Sequence, residues 1–145
     1  MAALEGVVVV VAASRARTLS AFRQWLAVVA LALLGTAAAA DAAADRNEVN
    51  GLLGSIEQSS CRFMRNGSGY SGREAAEHLR AKWRVAEKRA QDALTAEQFI
   101  AQVASASSMS GRPYEVVCGS EGERALSEWL KDRLRALRAA AEPHS

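Results

Sequence analysis

A chain of 145 residues, half of them hydrophobic, with 18 basic and 16 acidic side chains, has the length of a single domain. Its net charge of +2 comes from the first 40 residues, which hold Arg15, Arg17 and Arg23 against Glu5; beyond them acids and bases balance. Nucleic-acid binding is therefore excluded on charge, because that affinity rests on a surplus of Lys and Arg against phosphate.

The first element in chain order is a leader. The three arginines precede an apolar run from Trp25 to Leu34, then Gly35 and an alanine tract to Ala40, the layout of a secretory signal peptide. Strongly apolar residues fill only half of the span from Ala21 to Ala40, short of the roughly twenty that a membrane-crossing helix needs. Residues 1–40 are thus expected to be removed, with exit after Ala38, Ala40 or Ala44, leaving residues 41–145 as one exported domain with an ordered core over about 46–138. Only an uncleaved leader would attach the chain to a membrane.

Helix follows. Asp45 with Glu48 is a capping-box pattern, and Val49, Leu52, Leu53 and Ile56 recur at helical spacing, which predicts a helix from about Arg46 to Gln58 with one apolar face. Gly51 and Gly54 within it imply a close backbone approach. Cys61, Phe63 and Arg65 alternate with Arg62 and Met64, a strand pattern ending at the Asn66-Gly67 turn. Ser71 and Glu74 form a second capping box, from which Ala76, Leu79, Trp83, Ala86 and Ala90 run as a seam along a helix ending near Gln91. A third box, Thr95 to Gln98, opens a helix that buries Phe99, Ile100, Val103 and Ala104 and runs out before Gly111. Pro113 to Cys118 reads as a second strand, and a last helix spans about Glu123 to Ala140 with Leu126, Trp129, Leu130, Leu134 and Leu137 inward.

Cys61 and Cys118 are the two cysteines of the chain. An even count in an exported chain predicts a disulfide, and without a C-x-x-C pair redox chemistry has no motif. The bridge brings the two strands side by side, since bonded cysteines keep their Cα atoms within about 7 Å. The expected fold class is α+β and mostly helical: about four helices, two short strands paired into a small antiparallel sheet, and one disulfide.

The series Cys61, Phe63, Arg65-Asn66-Gly67, Tyr70-Ser71, Glu74-Ala75-Ala76, His78-Leu79-Arg80 and Lys82, continued by Thr95-Ala96-Glu97, Phe99-Ile100, Ser107 to Gly111, Pro113-Tyr114, Cys118 and Trp129-Leu130, resembles the YfeK-like family of small exported bacterial proteins of unknown function. The likeness runs from about Glu48 to Leu137; Gly69 before Tyr70 departs from it and loosens the turn. The resemblance implies a Gram-negative periplasmic location and no activity to carry over.

With both thiols in a bridge, the folded region keeps one histidine, His78, because His144 lies in the tail. Zinc needs three or four close ligands, so neither a metal nor a cofactor is expected. Arg65, Asn66, Tyr70, Arg112 and Tyr114 come from turns and strand ends near the bridge and, with His78, form the candidate binding surface; the competing reading is turn chemistry for Asn and Gly and a core role for Tyr. The leading expectation is a non-catalytic periplasmic binding or interaction module whose partner is an envelope protein or a small ligand. The alternative is an envelope hydrolase using His78 as base for Ser108 or Ser71. It lacks a G-x-S-x-G motif, since Gly69-Tyr70-Ser71-Gly72-Arg73 misses at its last position, and Ser71 is better explained as a helix cap.

Overall fold

The structure is a computed structural model and describes residues 37–142. The arginines and apolar run of the expected leader, and His144, lie outside the described residues. Helix α1 occupies residues 37–57. Its expected stripe, Val49, Leu52, Leu53 and Ile56, is fully buried. The helix begins earlier than the Asp45 box implied because alanine is the best helix former, so Asp45 lies within the helix and does not cap it.

Strand β1 (Arg62–Arg65) turns through Asn66 and Gly67, at φ 52° and 82°, into β2 (Ser68–Tyr70). Two successive positive-φ residues are what a type I′ hairpin loop requires, and Asn-Gly meets that need at least cost. Helix α2 (Gly72–Ala90) starts at the Ser71 cap, with the reciprocal Ser71–Glu74 bonds in place, and stops at Gln91 in a left-handed conformation. Helix α3 (Ala96–Gln102) starts at the Thr95–Gln98 box. Strand β3 (Glu115–Val117), a single 3-10 turn (Gly119–Glu121), β4 (Glu123–Ala125) and α4 (Leu126–Ala141) complete the described chain.

Among the described residues the fold is α+β, as expected, but the sheet has four strands in the order β2-β1-β3-β4, all antiparallel, where two were predicted. The extra strands are the edges. Each has three residues, too few to show period-two alternation. Ser68-Gly69-Tyr70 reads locally as turn, and Glu123-Arg124-Ala125 reads as the start of α4. Pairing of Phe63 with Tyr70 and of Val116 with Arg124 makes strands of them.

Cys61 and Cys118 are bonded, with Cα atoms 4.4 Å apart, beside the Arg62–Val117 pair of the central strands. A disulfide fits an oxidising compartment outside the cytoplasm. No helix among the described residues is long and apolar enough to cross a membrane. The core joins the stripe of α1 to Phe63, Leu79, Phe99, Trp129 and Leu130, with Phe63 edge-on to Trp129 at 5.9 Å and Trp83 edge-on to Phe99 at 6.2 Å. Such pairs add about 0.5–1.5 kcal/mol beyond their buried area.

Candidate ligand pocket

Side chains two apart on a strand share a face, so Arg65 points the same way as the buried Phe63, toward α2. Pairing of β2 with β1 puts Tyr70 opposite Phe63, and His78 faces them from the second turn of α2. Tyr114 is held by its backbone, its N–H donating to Ser105 and its carbonyl accepting from Leu126. Four of the six residues of the expected binding surface thereby meet at one pocket of about 320 Å³. Its floor is apolar, made by Phe63, Leu79 and Leu126, all nearly fully buried.

The polar wall is a chain of hydrogen bonds. Arg65 donates from Nη1 to His78 Nδ1 at 2.8 Å and from Nη2 to Tyr70 Oη at 3.1 Å, with its guanidinium carbon 4.7 Å from the centre of the Tyr70 ring. His78 Nε2 is 3.1 Å from Tyr114 Oη. Lys82 donates to the carbonyls of Val103 and Ala106 at 2.7 and 2.8 Å and to Tyr114 Oη at 3.3 Å. A guanidinium only donates, so Nδ1 must accept, and this inventory assigns His78 as neutral with its proton on Nε2, directed to Tyr114. All three Lys82 protons are placed. The Tyr114 oxygen accepts twice and keeps its own proton to give.

Among the described residues every ion pair lies elsewhere, on Arg46, Arg80, Arg124, Lys131, Arg135 and Arg138. Arg65 and Lys82 therefore carry half-buried positive charge with no carboxylate within bonding reach. Burial holds the Lys82 ammonium below its usual pKa, and the Arg65 charge adds to that. His78 is likewise held below 6.5, by burial first and then by Arg65 and Lys82. Burial raises the Tyr114 hydroxyl, with Arg65 opposing. Glu74 and Glu77 line the same pocket and are exposed; Glu74 also accepts from the Ser71 N–H at 2.8 Å and from its hydroxyl at 2.7 Å.

A folded pKa below the unfolded one means that the unfolded chain takes up the proton first. Stability linked to His78 is therefore complete above its ordinary value of 6.5 and is lost as pH falls through the depressed folded value. Urea midpoints of the wild type should fall as the pH is lowered below about 6.5, and those of His78→Gln should fall less. Parallel curves for the two proteins would show that the imidazole is not held neutral.

Asn66 and Arg112, the other two residues of the expected surface, are exposed and border a separate cleft with Met64, Glu115 and Glu123. Asn66 Oδ1 accepts from Ser110 Oγ at 2.6 Å. Ser108 shares a groove with the Lys82 side of His78, while both ring nitrogens of His78 are directed at Arg65 and Tyr114. Lys82, which braces the site through Tyr114, was not among the residues expected at the binding surface. Its signal was available, since it follows His78 by one helical turn and precedes the buried Trp83.

A family model described as "Family of unknown function (DUF5329)" matches residues 43–138. Among curated relatives, the protein named "Uncharacterized protein YfeK" of Salmonella typhimurium (strain LT2) is 42% identical over 89 residues, which make up 61% of this chain and 72% of that protein. No solved structure matches the chain.

Proposed function

The chain belongs to DUF5329, a YfeK-like family of unknown function, and we propose from its own geometry that it is a small exported, non-catalytic binding module whose ligand enters the pocket between β1 and α2. The observation that carries this is the convergence of Arg65, Tyr70, His78 and Tyr114, from four separate places in the chain, on one concavity with an apolar floor. A few converging polar groups over an apolar floor is the usual make-up of a small-molecule site. The disulfide, the leader and the family resemblance together support a periplasmic location.

Binding is better supported than hydrolysis. A serine nucleophile needs a base within hydrogen-bond reach. Ser71 Oγ is spent on Glu74, and the His78 ring nitrogens are spent on Arg65 and Tyr114. An imidazole so engaged orients its neighbours, and here it holds the Arg65 fork against the pocket.

A thermal-shift screen of the oxidised protein against small envelope metabolites should return compounds that raise its melting temperature. Affinity for such compounds should fall by at least about tenfold in Arg65→Ala, because a hydrogen bond to a charged group contributes about 1.5–3 kcal/mol. Arg65→Lys should not restore it, since an ammonium cannot serve His78, Tyr70 and a ligand from one plane. Equal affinities in wild type and Arg65→Ala would remove the pocket as the binding site.

A further inference from the structure

Resting on the binding reading above, we infer that the ligand carries a single carboxylate, seated against Arg65 and the hydroxyls of Tyr70 and Tyr114, with a short apolar body over Phe63, Leu79 and Leu126. Three observations support this choice. The first is the balance of donors and acceptors. His78 Nδ1 already accepts from Arg65, and its Nε2 proton already goes to Tyr114. What these four side chains have left to offer is the remaining guanidinium N–H groups and two phenolic protons, against one lone pair on Tyr70 Oη. Against this wall an ammonium would face the Arg65 charge, with acceptors only at the Tyr70 oxygen and at Glu74 and Glu77 of the opening, whereas an oxygen acceptor meets several donors at once.

The second is charge. Arg65 and Lys82 are half-buried, are packed against His78 and the two tyrosines, and have no counter-ion among the described residues. Removing charge from water without a partner is costly, and an anion seated against Arg65 offsets that cost where the pocket opens. The Arg fork already faces His78 and Tyr70, so the planar oxygens of a carboxylate fit its free edge.

The third is the exposed carboxylates. Glu74 and Glu77 line the same opening, and Lys82 has no proton left to donate. A second negative charge on the ligand would find no free cation and would face those two side chains. This favours a monoanion over a phosphate ester or a dicarboxylate. The volume of about 320 Å³ is at the low end for ligand sites, which keeps the apolar body short. A free short-chain acid and the C-terminal residue of a peptide share this chemistry.

The test is an amide-shift titration of the disulfide-bonded protein with hexanoate, 1-hexanol, hexylamine and hexyl phosphate, and with an N-acetyl tripeptide ending in leucine as free acid and as amide. Hexanoate or the free-acid peptide should shift Arg65, Tyr70, His78 and Leu79, and whichever binds more tightly identifies the source. The amine, the peptide amide and hexyl phosphate should bind at least about tenfold more weakly. Tyr114→Phe, which keeps the ring, should weaken hexanoate more than hexanol. If hexanol matches hexanoate at these residues, or hexyl phosphate exceeds it, the carboxylate assignment is overturned and the pocket stands. If no probe moves these amides, both readings fall.

Discussion

Replacing both cysteines, Cys61→Ala with Cys118→Ala, is expected to lower the free energy of unfolding by about 4 kcal/mol. The bridge closes a loop across a separation of 57 residues, and in the chain-entropy account the open unfolded chain gains that much freedom. For a domain of this size the loss is a large fraction of a total of roughly 5–15 kcal/mol. The strands it joins are short, β1 with four residues and β3 with three, so few ladder bonds remain to hold their register. Guanidinium unfolding of the variant should show a lower midpoint and a larger denaturant slope, because an uncrosslinked unfolded chain exposes more surface. Equal midpoints for the oxidised and cysteine-free proteins would mean that the sheet holds itself. The pocket depends on the same join, since Arg65 ends β1 and Tyr114 immediately precedes β3; ligand affinity should fall with the bridge.

The helices were legible because their signals are local. Ser71–Glu74 and Thr95–Gln98 are complete boxes within four residues, and both form as written. The stripes through Ile56, Leu79 and Trp129 follow from spacing alone, and the disulfide follows from counting thiols. The edge strands were not legible, because three residues pair through contacts made elsewhere in the chain. The site shows the same division. Arg65, Tyr70 and Tyr114 stood out as strand-end residues near the bridge, and strand alternation separates Arg65, on the face of Phe63, from Asn66, whose positive φ takes it out of the ladder. The role of Lys82 depends on the carbonyls of Val103 and Ala106, backbone groups at and beyond the end of α3 that side-chain spacing does not report. Glycine was misplaced as well. Close backbone approach was expected at Gly51 and Gly54, yet a Cβ at Gly51 would press at 3.1 Å on the Leu137 side chain and not on backbone, and one at Gly54 would meet only the end of Gln58.

The close approach is at Gly72, and Gly72→Ala is expected to cost about 2–3 kcal/mol, the upper part of the usual range for overpacking. A Cβ there would stand 2.2 Å from the carbonyl oxygen of Ile56 and 3.2 Å from that of Glu57. The obstacle is backbone in the last turn of α1, and the Ile56 carbonyl is itself fixed by accepting from the Ser59 N–H and hydroxyl. No rotamer change relieves the clash, so α2 must draw back from α1. Gly54→Ala is the matched control: its Cβ finds only the flexible end of Gln58 at 3.7 Å, and helix propensity should make that variant more stable by up to about 1 kcal/mol. Opposite shifts in urea midpoint are the expected outcome. Two variants of equal stability would mean that α1 and α2 are not in backbone contact. Because His78 stands six residues beyond Gly72, a retreat of α2 also pulls the imidazole from Arg65, so Gly72→Ala should weaken ligand binding without altering any residue of the pocket.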